Sequence, residues 1–159
     1  VLRHSIFLSS FSKSYTLTGE RFGHVTIGDL KLAPALGVGW TNSTASLPGE
    51  WQLRYMAYYR LIQSRPHLIE KLRALYRLRR ERLIAQLSRI NAQQELFEEI
   101  YPGDDATVYV WSQLRQGEDA FSLFEKTGIA GVPGSGFGYS DDYIRFSIGV
   151  IPVPASNDV

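Results

Sequence analysis

Apolar residues recur through the middle of the chain with a helical period. Leu68, Ile69, Leu72, Leu75, Tyr76, Leu83, Ile84 and Leu87 follow i, i+3, i+4, i+7 spacing and predict a long helix to about Gln94, with Pro66 suited to its first turn. Just before it, Trp51, Leu53, Met56, Ala57, Tyr59 and Leu61 predict a helix over residues 50–63. Both lie in residues 50–102, which contain no glycine and only Pro66 and Pro102 as prolines. Towards the ends the period shortens. Residues 1–9 are β-branched and aromatic enough for a strand, interrupted by Arg3-His4. Residues 11–18 predict a loop or one short helical turn, 20–27 a strand, and 29–49, with two prolines and three glycines, a short helix and then a loop. After a turn at Pro102-Gly103-Asp104-Asp105 come a strand over 106–114, a helix over 118–126 capped by Gly128, a short strand over 129–132, a Gly-rich loop over 133–140 and a strand over 143–150. The second half therefore reads as helix–strand–helix–strand–strand, an α+β unit with a frayed tail.

Composition narrows the classes. The 159 residues suffice for a real core, and 44% hydrophobic with 21% charged residues is globular rather than disordered composition. A net charge of +1 gives no global electrostatic case for nucleic acid or membrane binding, and no apolar run is long enough to span a bilayer. No cysteine is present, which excludes disulfides, thiolate zinc sites and thiol catalysis, and His4, His24 and His67 have no metal-ligand spacing. No secretory leader is expected. The chain opens on Val1 without a cap or turn signal, like the middle of something longer.

Candidate chemistry is sparse. Lys13, one of four lysines against 13 arginines, follows Ser10 and Ser12 and precedes Arg21. A lysine between a buried strand and a Ser/Thr loop can lose solvation and act as an amine nucleophile towards a carbonyl, while two hydroxyls and an Arg suit a phosphate; a plain loop with one lysine is the competing reading. Pro133-Gly134-Ser135-Gly136-Phe137-Gly138 has neither nucleotide-loop spacing and reads as a turn-rich connection. Arg145 lies in an apolar strand, on the face opposite Ile144 and Phe146 and shared with Tyr143 and Ser147. It is either an edge-strand Arg in water or a bidentate carboxylate clamp. Arg73, Arg77, Arg79, Arg80, Arg82 and Arg89, interleaved with Glu70 and Glu81, predict a solvated helix face.

Three segments together resemble one family. SFSKSYTLTGERFG (residues 10–23) is similar to the lysine signature of fold-type I pyridoxal-phosphate enzymes of the aspartate-aminotransferase-like group, S-x-S-K, a spacer, then G-x-R-x-G, with Ser10, Ser12, Lys13, Gly19, Arg21 and Gly23 in register. GIAGVPGSGFGYSDDYIRFSIGV (128–150) resembles the family's C-terminal signature, a VPG-S-x-FG loop and then a strand carrying the substrate Arg. RALYRLRRERLIAQL (73–87) is similar to its long Arg-rich helix. Order and spacing match over essentially the whole chain; Thr16 and Phe22 depart from the small or aliphatic residues more usual there, and residues 28–50 align loosely.

The resemblance implies an α/β fold: the C-terminal end of the large domain of a pyridoxal-phosphate transferase (1–65), a small α+β C-terminal domain (66–155) and a tail (156–159). It implies a pyridoxal-5′-phosphate-dependent aminotransferase moving an amino group between an amino acid and a 2-oxo acid. A lyase or decarboxylase of the same fold, or the aminotransferase-like sensor domain of a bacterial transcription regulator, are the alternatives. Lys13 is implied as the Schiff-base lysine and proton carrier. Ser10, Arg21 and, as a lesser candidate, Ser12 are implied as phosphate ligands, and Arg145 as the holder of the substrate α-carboxylate, with no metal. The family's other cofactor contacts lie upstream of the lysine signature, so an N-terminal part of the same enzyme is expected as a partner, in a cytoplasmic homodimer without nucleic acid or membrane, and the chain alone is expected to be inactive. Residues 37–42, expected as a loop, carry no basic side chain, which leans towards a neutral or aromatic substrate.

Overall fold

A computed structural model describes residues 2–17, 19, 21–44, 48–105 and 107–153. The expected tail, 156–159, lies outside them. The chain divides into two compact units, residues 1–69 and 70–159.

In the first unit, a 3-10 turn (Leu2–His4) leads into β1 (Ile6–Ser10), which pairs antiparallel with β2 (Gly23–Ile27) in the register Ile6↔Ile27 to Ser10↔Gly23. Between them sits the single-turn helix α1 (Phe11–Ser14). Helix α2 (Leu32–Thr44) follows, started by the Asp29 carboxylate, which accepts the backbone N–H groups of Lys31 and Leu32 at 2.8 and 3.2 Å. It runs as 13 residues through Pro34, Gly37 and Gly39. This corrects the expected loop over 37–42: proline is tolerated in a first turn, and the cost of two glycines did not end the helix. Residues 37–42 are therefore helical, and their lack of basic side chains does not point to a substrate type. Helix α3 (Gly49–Ser64) lies where the sequence places it.

Among the described residues of this unit only Ile62 is a buried hydrophobic. The strand expected to be buried is exposed along its whole length, with Ile6 at 52%, Phe7 at 52% and Leu8 at 77%. A two-stranded pair has no second layer of its own to bury such side chains.

The second unit holds the core. Helix α4 (His67–Gln94), which belongs to it from Glu70 on, contributes Leu83 and Leu87. The unit's antiparallel sheet has the order β3-β4-β6-β5. Its strands are β3 (Phe97–Tyr101), β4 (Tyr109–Leu114), β5 (Val132–Pro133) and β6 (Tyr143–Ser147). Val110 and Leu114 of β4 and Ile144 and Phe146 of β6 alternate into one face, joined by Leu123 of α5 (Ala120–Thr127). α5 starts on a capping box between Asp119 and Ser122 and ends on Gly128 in the left-handed region at φ 71°. β3 was not legible as a strand, because a bulge between Phe97 and Glu99 breaks its alternation. The last expected strand stops at Ser147 and turns into a 3-10 segment (Ile148–Val150).

The arginine face of α4 also differs from expectation. Arg80 is only 8% exposed; it donates to Asp105 at 3.0 Å and to the Thr107 carbonyl at 2.6 Å. Arg77 takes the other Asp105 oxygen at 2.7 Å, while Arg79 and Arg82 donate to the Gly149 and Pro152 carbonyls. Four of these six arginines therefore clamp the β3–β4 loop and residues 149–152 onto the helix, with Arg80 buried, Arg79 half-buried and Arg77 and Arg82 at the exposed edge.

Those clamps make the unit acid-sensitive. Hydrogen bonds from Arg77 and then Arg80 hold the Asp105 carboxyl below its ordinary value; Lys126 and then Ser122 do so for Glu118, and the Ser122 and Phe121 N–H groups for Asp119. A carboxyl depressed in the folded state stabilises the fold above its unfolded pKa, and that contribution is lost as pH falls through the folded value. The melting temperature is expected to be flat above about pH 5 and to drop below about pH 4. Asp105→Asn should lower it at neutral pH and shrink the acid drop. An acid drop of undiminished size in the variant would contradict the clamp.

Candidate functional site

The lysine turn is built by the β1–β2 register. Pairing Ser10 with Gly23, reinforced by Phe11 N–H donating to the Phe22 carbonyl at 3.1 Å, returns the chain so that Arg21 arrives beside the turn carrying Ser10, Ser12 and Lys13. Close approach of the two strands requires glycine at 23: a Cβ there would meet the Ser9 carbonyl oxygen at 2.7 Å. Ser10 caps α1 by accepting the Ser12 N–H at 3.2 Å, which leaves its own O–H free to donate elsewhere. Thr16 and Arg21 adopt φ of 58° and 54°, a region that non-glycine residues enter only at a cost. Arg21 is thus held in a strained backbone at the end of the returning loop.

An aromatic cluster ties this turn to α3. Phe22 stacks on Tyr55 at 4.0 Å between centroids, Phe11 lies 4.6 Å from Tyr55, and the Tyr58 hydroxyl donates to the Tyr15 carbonyl at 2.9 Å. Burial, followed by the neighbouring tyrosines Tyr15, Tyr59 and Tyr58, pushes the Tyr55 hydroxyl up to about 12, so it stays neutral. Phe22 has a physical role here: it fills the space against Tyr55. Lys13 is exposed, so the expected desolvation of its amine by a buried strand is not supplied by this chain. Arg21 also lines an open groove of about 810 Å³ between β1–β2 and α2, whose other walls include Leu8, Val25, Leu36 and Trp40.

The structure thus brings Ser10, Ser12, Lys13 and Arg21 to one end of the β1–β2 pair: two hydroxyls, a guanidinium and a primary amine. That donor set suits a phosphate together with an aldehyde. Among the described residues, no group of three or more acidic or histidine side chains could hold a metal ion.

Arg145 belongs to the second unit. It sits on β6, an internal strand, which corrects the edge-strand reading. Its side chain leaves the core face, as expected, and is half-buried. No carboxylate pairs with it among the described residues, and its buried Nε has no hydrogen-bond partner. Instead its guanidinium carbon lies 4.1 Å from the ring centroids of both Tyr109 and Phe137. The sequence alone did not point to these two rings, since their meeting with Arg145 depends on the β4–β6 register and on the loop geometry.

That loop is the Gly-rich segment, which forms a 3-10 turn (Gly134–Phe137) ended by Gly138 at φ 74°. Gly134 faces a close approach: a Cβ there would collide with the Ser140 carbonyl oxygen. Gly134→Ala is expected to destabilise the second unit by roughly 1–3 kcal/mol. A denaturant midpoint equal to that of the parent protein would contradict this packing.

A family model for aminotransferase class I and II matches residues 3–152. The LL-diaminopimelate aminotransferase of Dehalococcoides mccartyi strain 195 is 32% identical over 146 residues, covering 89% of this chain and 35% of that protein. That of Natranaerobius thermophilus is 32% identical over 151 residues, 92% of this chain and 36% of its own length. A Methanococcus jannaschii structure, described as similar in its active site to kynurenine aminotransferases, superimposes with a TM-score of 0.68 at 26% identity, over 92% of this chain and 38% of that one. The α-aminoadipate aminotransferase of Thermus thermophilus, complexed with N-(5′-phosphopyridoxyl)-L-leucine, shares the fold with a TM-score of 0.67 at 24% identity, over 90% of this chain and 36% of that one. The chain therefore spans about 35% of the length of the curated relatives it matches.

Proposed function

The chain belongs to the aminotransferase class I and II family, whose members depend on pyridoxal phosphate, and on that premise we propose that it forms the C-terminal part of an aminotransferase exchanging an amino group between an amino acid and a 2-oxo acid. The observation that carries this reading is the continuous family match from residue 3 to residue 152, which takes in both the lysine turn and the arginine strand. In this reading the first unit is the end of the cofactor domain and the second is the small domain. The uncovered apolar side chains of β1 and α2 are where the rest of the enzyme packs, in a cytoplasmic homodimer. Among the described residues, no helix is long and apolar enough to cross a membrane.

Bound pyridoxal phosphate supplies an electron sink for the carbon that loses its proton. Ser10, through the hydroxyl hydrogen left over from capping, and Arg21 hold the phosphate, with Ser12 in support. Lys13 would supply the amine that holds the cofactor aldehyde and, once freed, would carry the proton from the substrate α-carbon to the former aldehyde carbon rather than back to the α-carbon. Arg145 fixes the substrate α-carboxylate, an assignment favoured by a guanidinium that has no carboxylate partner among the described residues.

The test is a panel of amino acids, LL-diaminopimelate included because of the relatives' activity, mixed with the full-length, cofactor-loaded protein without an acceptor. The expected result is stoichiometric 2-oxo acid from at least one of them, with the bound cofactor recovered as pyridoxamine phosphate. Catalytic release of ammonia or carbon dioxide would overturn transamination in favour of a lyase or decarboxylase.

A further inference from the structure

We propose that Phe137 and Tyr109 are positioning residues that hold the Arg145 guanidinium ready for a carboxylate. An arginine without a counter-ion can orient itself on a protein carbonyl. Arg145 finds none at Nε, which is buried and without a protein partner, while its guanidinium carbon lies 4.1 Å from each of the two ring centroids. Aromatic faces attract a cation without consuming its N–H donors, so the terminal nitrogens stay available for a bidentate acceptor.

Each ring is itself fixed. Tyr109 stands on β4 opposite Ser147, two residues along β6 from Arg145, on the same face of the sheet. Phe137 ends the 3-10 turn, which is closed by the Gly138 and Tyr139 N–H groups on the Ser135 and Gly134 carbonyls at 3.1 and 3.0 Å. Its ring also packs T-shaped with Trp111, the centroids 6.0 Å apart, and Trp111 is the direct cross-strand neighbour of Arg145. The Gly-rich loop thus serves to deliver one aromatic face to one arginine, a use that its glycine spacing did not reveal.

The inference rests on the reading of Arg145 as the carboxylate holder, and the experiment separates the two. In the full-length, cofactor-loaded enzyme, KM is measured for the best amino acid of the panel above, with inhibition constants for butanoate and for uncharged butanamide. Phe137→Leu is expected to raise KM and the butanoate constant roughly fivefold, as loss of one cation–aromatic contact implies, with kcat and the butanamide constant little changed. Phe137→Tyr should restore both. In an Arg145→Lys background, Phe137→Leu should add almost nothing, because its effect passes through the guanidinium. An equal effect in both backgrounds, or an equal rise for butanamide, would overturn the positioning role. If Arg145→Lys leaves butanoate inhibition unchanged, the carboxylate reading fails first and the positioning role with it. Should Phe137→Leu not fold, Tyr109→Leu in the same cycle decides the question in the same way.

Discussion

Lys13→Ala in the full-length protein is expected to lower amino-group transfer by about 10⁴-fold or more, because one side chain serves both as nucleophile and as proton carrier. The turn contains no second amine: the remaining lysines, Lys31, Lys71 and Lys126, lie on other segments, the last paired with Glu118. The fold should survive the change, since Lys13 is exposed and closes only a four-residue helix. Unchanged melting together with lost transfer is therefore the predicted pair of results. Melting that falls in step with activity would make Lys13 structural instead, and a variant within tenfold of the parent rate would remove it from the chemistry.

Arg145→Ala should cost about 10²- to 10³-fold in kcat/KM for an amino acid, the scale of a lost bidentate, charge-assisted carboxylate contact. Steady-state kinetics beside cofactor titration checks this. Cofactor affinity is expected to be nearly unchanged, because the phosphate ligands proposed here all lie on the lysine turn of the other unit. Loss of cofactor in parallel with activity would mark Arg145 as a structural residue of the sheet. The rings of Tyr109 and Phe137 against the guanidinium make the alanine variant informative, because the partner groups it leaves behind are aromatic faces rather than a stranded carboxylate.

Where one period dominates, the sequence was enough. The α4 stripe from Leu68 to Leu87 and the alternation of Val110, Ser112 and Leu114 on β4 each fix a face without outside help. The lysine turn was legible because its residues lie within 14 positions of one another and carry a family signature. What escaped depended on partners distant in sequence. α2 continues through Gly37 and Gly39 in spite of local propensity, and β3 hides behind a bulge. Arg80 looks like one more surface arginine until the 104–107 loop folds back on it. The exposed β1 shows the same limit from the other side: its apolar composition predicts burial, yet Ile6, Phe7 and Leu8 all stay exposed.

The central claim, that this chain carries the cofactor-bearing lysine of an aminotransferase, is tested most directly by borohydride reduction of the full-length protein loaded with pyridoxal phosphate, followed by peptide mass mapping. The account predicts a single phosphopyridoxyl adduct, on Lys13. An adduct fixed at Lys31, Lys71, Lys126 or a lysine outside this chain, with Lys13 unmodified, would contradict it.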